Sequence, residues 1–141
     1  MEHASTVGAR RASGERRRAI ALAALAAWAM AVPWLARALG LELDVPTRLE
    51  VTDHVVPGVI VLGGSALLLR SAADAPPGGL LRLGVLAVAC LAGFWITATH
   101  AVLLPEAIDG ISPWGAALLH LSAGPPVTLL SLWMLLADAA R

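Results

Sequence analysis

Charge is scarce in this chain and cysteine almost missing. Only 14% of the 141 residues are charged, and ten basic residues offset ten acidic ones. The resulting net charge of zero names no partner, and nothing in the chain points to nucleic acid. A single cysteine, Cys90, excludes an intramolecular disulfide and any cysteine-based metal motif. Tyrosine is absent and Phe94 is the only phenylalanine, so five tryptophans are left to anchor the chain at membrane interfaces. Motifs of reaction chemistry are missing too. There is no Cys-x-x-Cys-His, no His-Glu-x-x-His and no glycine-rich phosphate loop after a strand. Ser65 and Ser131 have no histidine beside them on their helix faces. No enzymatic catalysis and no catalytic residue are expected.

What the chain has in abundance is apolar sequence. Hydrophobic residues make up 58% of it, and the mean hydropathy of +0.77 is too high for a soluble domain. The length suits one compact membrane unit. Charge-free or nearly charge-free runs at residues 19–36, 51–69, 83–104 and 113–137 each approach or exceed the ~20 residues that cross a bilayer core. Pro105 is expected to end the third run, and Pro113 to open the fourth. Pro76-Pro77-Gly78-Gly79 marks a turn between the second and third. The expected fold is therefore all-α: a polytopic membrane protein with four transmembrane helices arranged as two tandem helical hairpins.

Residues 1–18, with Arg10, Arg11, Arg16, Arg17 and Arg18, lack apolar periodicity and are expected to form a basic cytoplasmic tail, disordered or lying on the surface. Residues 19–141 form the four-helix bundle. Ala36-Arg37-Ala38 faintly resembles a signal-peptidase site, but the preceding apolar run is too long for a signal peptide and is expected to be retained. Arg70, Arg82 and Arg141 join the tail arginines on one side, with only Arg37 and Arg48 on the other. That bias places both termini in the cytoplasm. The exclusive use of arginine as the basic residue fits a bacterial genome, so the expected location is the bacterial cytoplasmic (inner) membrane. Glu42, Asp44, Glu50, Asp53, Glu106 and Asp109 then lie at or near the outer face.

Shifting the chain by sixty-six residues superposes the segment 16–75 on 82–141. Matches include Arg16/Arg82, His54/His120, Gly58/Gly124, Val61/Val127, Ser65/Ser131, Leu69/Leu135 and Ala73/Ala139. Positions 54, 58, 61, 65 and 69 advance by four, three, four and four, which puts them on one helix face. The expectation is an internal repeat of two helix pairs about a pseudo-two-fold axis along the membrane normal. On it, Gly58, Ser65, Gly124 and Ser131 serve helix packing. Pro57-Gly58 and Gly124-Pro125-Pro126 are expected to kink or interrupt the second and fourth helices at matching depth.

Val32-Pro33-Trp34, His54-xxx-Gly58 and His120-xxx-Gly124 together resemble the pattern of the small bacterial membrane proteins with the SPW repeat. There a Ser-Pro-Trp motif closes the first helix of a pair, and a polar residue four before a glycine opens the second. The chain departs from that pattern at Ala98-Thr99-His100, and its literal Ser112-Pro113-Trp114 lies at the entrance to the fourth helix. The resemblance implies paired transmembrane helices and no particular activity.

His54, His100 and His120 are the ionisable groups that look embedded, all toward the outer side. Two readings stand. In one they hydrogen-bond to neighbouring helices, Asp53 or headgroup water. In the other they are ligands: His54 and His120 as axial ligands of a haem b, with a glycine four residues on leaving room for the porphyrin, or all three as ligands of copper or zinc. The leading functional expectation is a non-catalytic accessory or structural subunit of a larger membrane complex, with the lipid bilayer and other membrane-protein subunits as partners. A haem- or metal-binding membrane protein is the alternative, and a small transporter the third.

Overall fold

The computed structural model describes residues 2–41, 43, 46–71 and 79–140, the side chains of residues 2–11 and 47 excepted. The turn at Pro76-Pro77-Gly78, the carboxylates of Glu42 and Asp44, Ala73, Arg141 and the side chains of Arg10 and Arg11 lie outside that set. Within it the chain is all-helical: α1 (Glu2–Ala38), α2 (Thr47–Ser71), α3 (Leu80–His100), α4 (Leu103–Ile108), α5 (Trp114–Leu121) and α6 (Gly124–Ala139). Four stretches are long and apolar enough to cross a membrane: Ala12–Ala38, Arg48–Ser71, Leu80–Ile108 and Trp114–Ala139.

The hairpins are evident in the packing, with α1 lying along α2 and α3 along α6, and α2 against α3 joining the two pairs. Between them Leu22, Val61, Leu68, Leu86, Val127 and Met134 form one buried cluster, filled out by Ala19, Ala26 and Ala89. Small residues let helix backbones approach closely where lipid offers no hydrophobic drive. Only 33% to 39% of each span is buried inside the protein. The remaining faces expose Leu91, Phe94, Trp95, Leu129, Trp133 and Leu136, side chains that require an apolar surrounding.

Four features differ from the sequence expectations. The basic segment 1–18 is helical from Glu2 and continuous with the first span. Ala, Glu and Arg favour helix, and Glu15 is held in the bundle by an ion pair with Arg82 (Nη1–Oε2, 3.2 Å). Pro105 does not end a span. α3 stops at His100, and Pro105 sits inside α4, near its start, where a missing N–H costs nothing. The prolines of the second and fourth spans act differently: α2 runs unbroken through Pro57, whereas the fourth span parts at Ser122–Ala123 into α5 and α6. One proline removes one helical hydrogen bond, but Pro125-Pro126 remove two in succession.

Buried positions also refine the internal match. Those of α2 are 50, 54, 57, 58, 61, 65 and 68; those of α5 and α6 include 116, 120, 123, 124, 127, 131 and 134, each sixty-six further on. Between α1 and α3 the spacing is sixty-seven: 15, 19, 22, 26, 29 and 33 against 82, 86, 89, 93, 96 and 100. His100 thus matches buried Pro33 and not exposed Trp34, and Arg82 matches Glu15 and not Arg16.

Candidate metal centre

His54 lies two turns into α2, His100 closes α3 and His120 sits one residue from the end of α5. All three are buried, His54 and His120 at 0% exposure and His100 at 4%. Their rings touch: centroids are 4.4 Å apart for His54 and His100, 5.2 Å for His54 and His120, and 5.3 Å for His100 and His120. Each offers one ring nitrogen to a group of three lying within 4.8 Å of one another. His54 and His120 share the one helical face that the sequence exposes by its four-three-four spacing. His100 reaches the same point because α3 packs between them and stops there.

Backbone carbonyls set two of the tautomers. His54 Nδ1 lies 3.1 Å from the Glu50 carbonyl, and His100 Nδ1 lies 2.9 Å from that of Ile96. A carbonyl only accepts, so both Nδ1 atoms carry the proton and both Nε2 atoms present a lone pair. This is the usual second contact of a metal-bound histidine, which fixes ring orientation and raises ligand basicity. The Nε2 of His54 and both ring nitrogens of His120 are buried without a hydrogen-bond partner. An unsatisfied buried polar atom costs about 1–3 kcal/mol, a cost that Glu50 Oε1, 3.5 Å from His120 Nε2, offsets only in part.

A fourth donor group was not expected from the sequence. Glu50, which stands just before the apolar run at residues 51–69, belongs to the first turn of α2 and is buried at 3% exposure. Its Oε1 lies 3.5 Å from His120 Nε2. Glu50 and Asp138 are buried carboxylates, each at an end of its span. The legible signal was the spacing: Glu50 is four residues before His54 and so shares its helix face.

Three imidazoles converge, with the Glu50 carboxylate beside His120, and imidazole nitrogen with carboxylate oxygen is the donor chemistry of zinc and copper sites. With metal–nitrogen bonds of ~2.0–2.1 Å, tetrahedral donors stand roughly 3.3 Å apart. The three imidazole nitrogens lie within 4.8 Å of one another, the same neighbourhood as that spacing. Haem does not fit. The His54 and His120 rings are in mutual contact, which leaves no slot for a porphyrin between them. The glycines are also covered: a Cβ on Gly58 would lie 3.2 Å from the Ala26 carbonyl, and one on Gly124 would lie 2.5 Å from Thr97 Oγ1 and 2.9 Å from the Gly93 carbonyl. Neighbouring helices occupy the space that a macrocycle needs. Ser65 and Ser131, fully buried, donate to the carbonyls of Val61 (2.8 Å) and Val127 (2.6 Å) on their own helices.

Comparison with protein-family models, with curated proteins and with solved structures finds no match for this chain.

Proposed function

We propose that the chain is a membrane-embedded metal-binding protein in which His54, His100 and His120, with Glu50, hold one first-row transition-metal ion, zinc or copper. The observation that carries this reading is the convergence of three fully or almost fully buried imidazoles whose inward nitrogens include atoms with no hydrogen-bond partner. Two residues supply backbone contacts that leave Nε2 for the ion, and a carboxylate offsets part of its charge. Metal analysis of detergent-purified protein after loading and desalting tests it. About one zinc or copper ion per wild-type chain is expected, and equal metal content in a chain with all three histidines changed to alanine overturns the reading.

The same proposal takes the two helix pairs as a duplicated unit, supported by the constant spacing of buried positions between α2 and α5–α6. It takes the location as the bacterial cytoplasmic membrane with both termini inside, supported by Arg16, Arg17, Arg18, Arg70 and Arg82 at one end against Arg37 and Arg48 at the other. The metal centre then lies toward the outer face. An accessory role in a larger membrane complex is a second reading, favoured by the apolar band of Leu91, Phe94, Trp95, Leu129, Trp133 and Leu136, which a neighbouring subunit would cover as well as lipid does. Migration of gently extracted protein at its own mass would remove it.

A further inference from the structure

A cavity of about 470 Å³ opens beside the histidine cluster at the α4 end of the bundle. Its lining includes Glu50 and Asp53 from α2, His100 from α3, Glu106 from α4 and Ser112 from the loop before α5. Exposed Val102 and Ile111 form part of its rim. Among the described residues, three carboxylates line it and no arginine does. Glu106 is held in place by Ser112, whose hydroxyl donates to Oε2 at 2.7 Å. Of the four residues of the proposed centre, Glu50 and His100 reach the cavity, while His54 and His120 stand behind them. Those two are wholly buried and contribute the unpartnered nitrogens.

From rim to interior the donors are therefore the half-buried carboxylates of Asp53 and Glu106, then buried Glu50 and His100 together, then the His54 and His120 nitrogens. A divalent cation arriving from water keeps its hydration shell until oxygen ligands replace it, and like-signed carboxylates in a low-dielectric cleft raise its local concentration. Glu50 is the carboxylate shared by both places, since it lines the cavity and lies 3.5 Å from His120 Nε2. Neutral imidazoles alone would leave a full double charge in the apolar interior, which is costly without a compensating anion.

We infer that this cavity is the port of the centre: Asp53 and Glu106 take in a hydrated divalent transition-metal cation, Glu50 passes it to the three histidines, and exchange runs only through the α4 end of the bundle. The inference rests on the metal reading above. It assigns Asp53 and Glu106 to the rate of loading and not to the stability of the loaded site.

The test follows zinc uptake by metal-stripped, full-length protein in neutral detergent, using a fluorescent zinc indicator as competitor, at low and high salt. The D53N/E106Q chain is expected to reach the wild-type end point on the order of tenfold more slowly, with a flattened salt dependence, in line with electrostatic steering. D109N, which removes an exposed carboxylate outside the cavity, is expected to load at the wild-type rate. Wild-type rate and salt dependence in D53N/E106Q overturn the port while leaving the metal reading intact. Loss of the end point in that variant also overturns it, because the two carboxylates then belong to the centre itself. A wild-type chain that takes up no zinc at either salt overturns both.

Discussion

At one end of the bundle Arg82 is buried between Glu15 and Asp138; at the other, His54, His100 and His120 are buried against one another and Glu50. Both clusters draw on several helices, and both place polar groups where lipid-facing residues surround them. They differ in whether the groups complete each other. Arg82 donates from Nε to Asp138 and from Nη1 to Glu15, so each charge meets an opposite one. The His54 Nε2 and both ring nitrogens of His120 make no hydrogen bond, with Glu50 Oε1 standing 3.5 Å from His120 Nε2. A buried cluster that closes on itself ties helices together. One that does not close leaves donors over for a ligand, as the metal proposal requires.

The sharpest break of that comparison is Arg82→Ala. Removing the cation takes an ion-pair partner from two buried carboxylates, Glu15 and Asp138, and loss of one member of a buried ion pair costs about 3–5 kcal/mol. Thermal or urea unfolding in detergent should show this loss. His54→Ala in the metal-free protein should cost less than Arg82→Ala, because the cavity and the lost Nδ1 bond to the Glu50 carbonyl are partly offset by removing a buried Nε2 without a partner. A comparable loss in metal-free His54→Ala would erase the distinction between the two ends.

Next in size is the response to metal. Zinc at a hundred times its dissociation constant should stabilise the wild type by about 2.7 kcal/mol, since a ligand bound only by the folded state shifts the equilibrium by mass action. The triple histidine variant should not respond, and Arg82→Met should respond fully from its lower starting point. Removing Glu50 by Glu50→Gln should weaken zinc binding by at least the 10–100-fold typical of lost outer contacts, read by competition with a chelator.

Gly124→Ala tests whether the helix break serves the centre. The added Cβ would press on Thr97 and the Gly93 carbonyl, an overpacking cost of about 1–3 kcal/mol. It should also shift α5 and reduce metal affinity, while leaving the Arg82 cluster undisturbed. The smallest effect is expected from Ser122→Ala, which removes the bond from Trp28 Nε1 to Ser122 Oγ (2.9 Å) at the α5–α6 break. A hydrogen bond between helices in a membrane contributes about 0.6 kcal/mol.

Much of the site was legible in advance because His54 and His120 lie on a face that the spacing of small and apolar residues draws openly. Glu50 was not, since Pro46 and the surrounding charges mark residues 40–50 as loop, and the burial of a carboxylate depends on what stands opposite. The helical N-terminal segment was missed for a similar reason: its arginines hide a face that only the Glu15 to Arg82 pair reveals. The haem reading failed on packing, because the glycine surfaces left flat for a ring are the surfaces that Ala26, Met30, Gly93 and Thr97 fill.

By itself the sequence determined four apolar spans, their pairing into hairpins and the face each hairpin turns inward, because bilayer thickness and helical periodicity act on residues near one another in the chain. Only the tertiary structure decided that His100 joins His54 and His120, that Glu50 stands beside them, and that Arg82 takes two carboxylates to itself. Those meetings depend on the rotation of one helix against another, and a one-residue difference in packing register, sixty-seven in place of sixty-six, is enough to exchange Trp34 for the position that His100 fills.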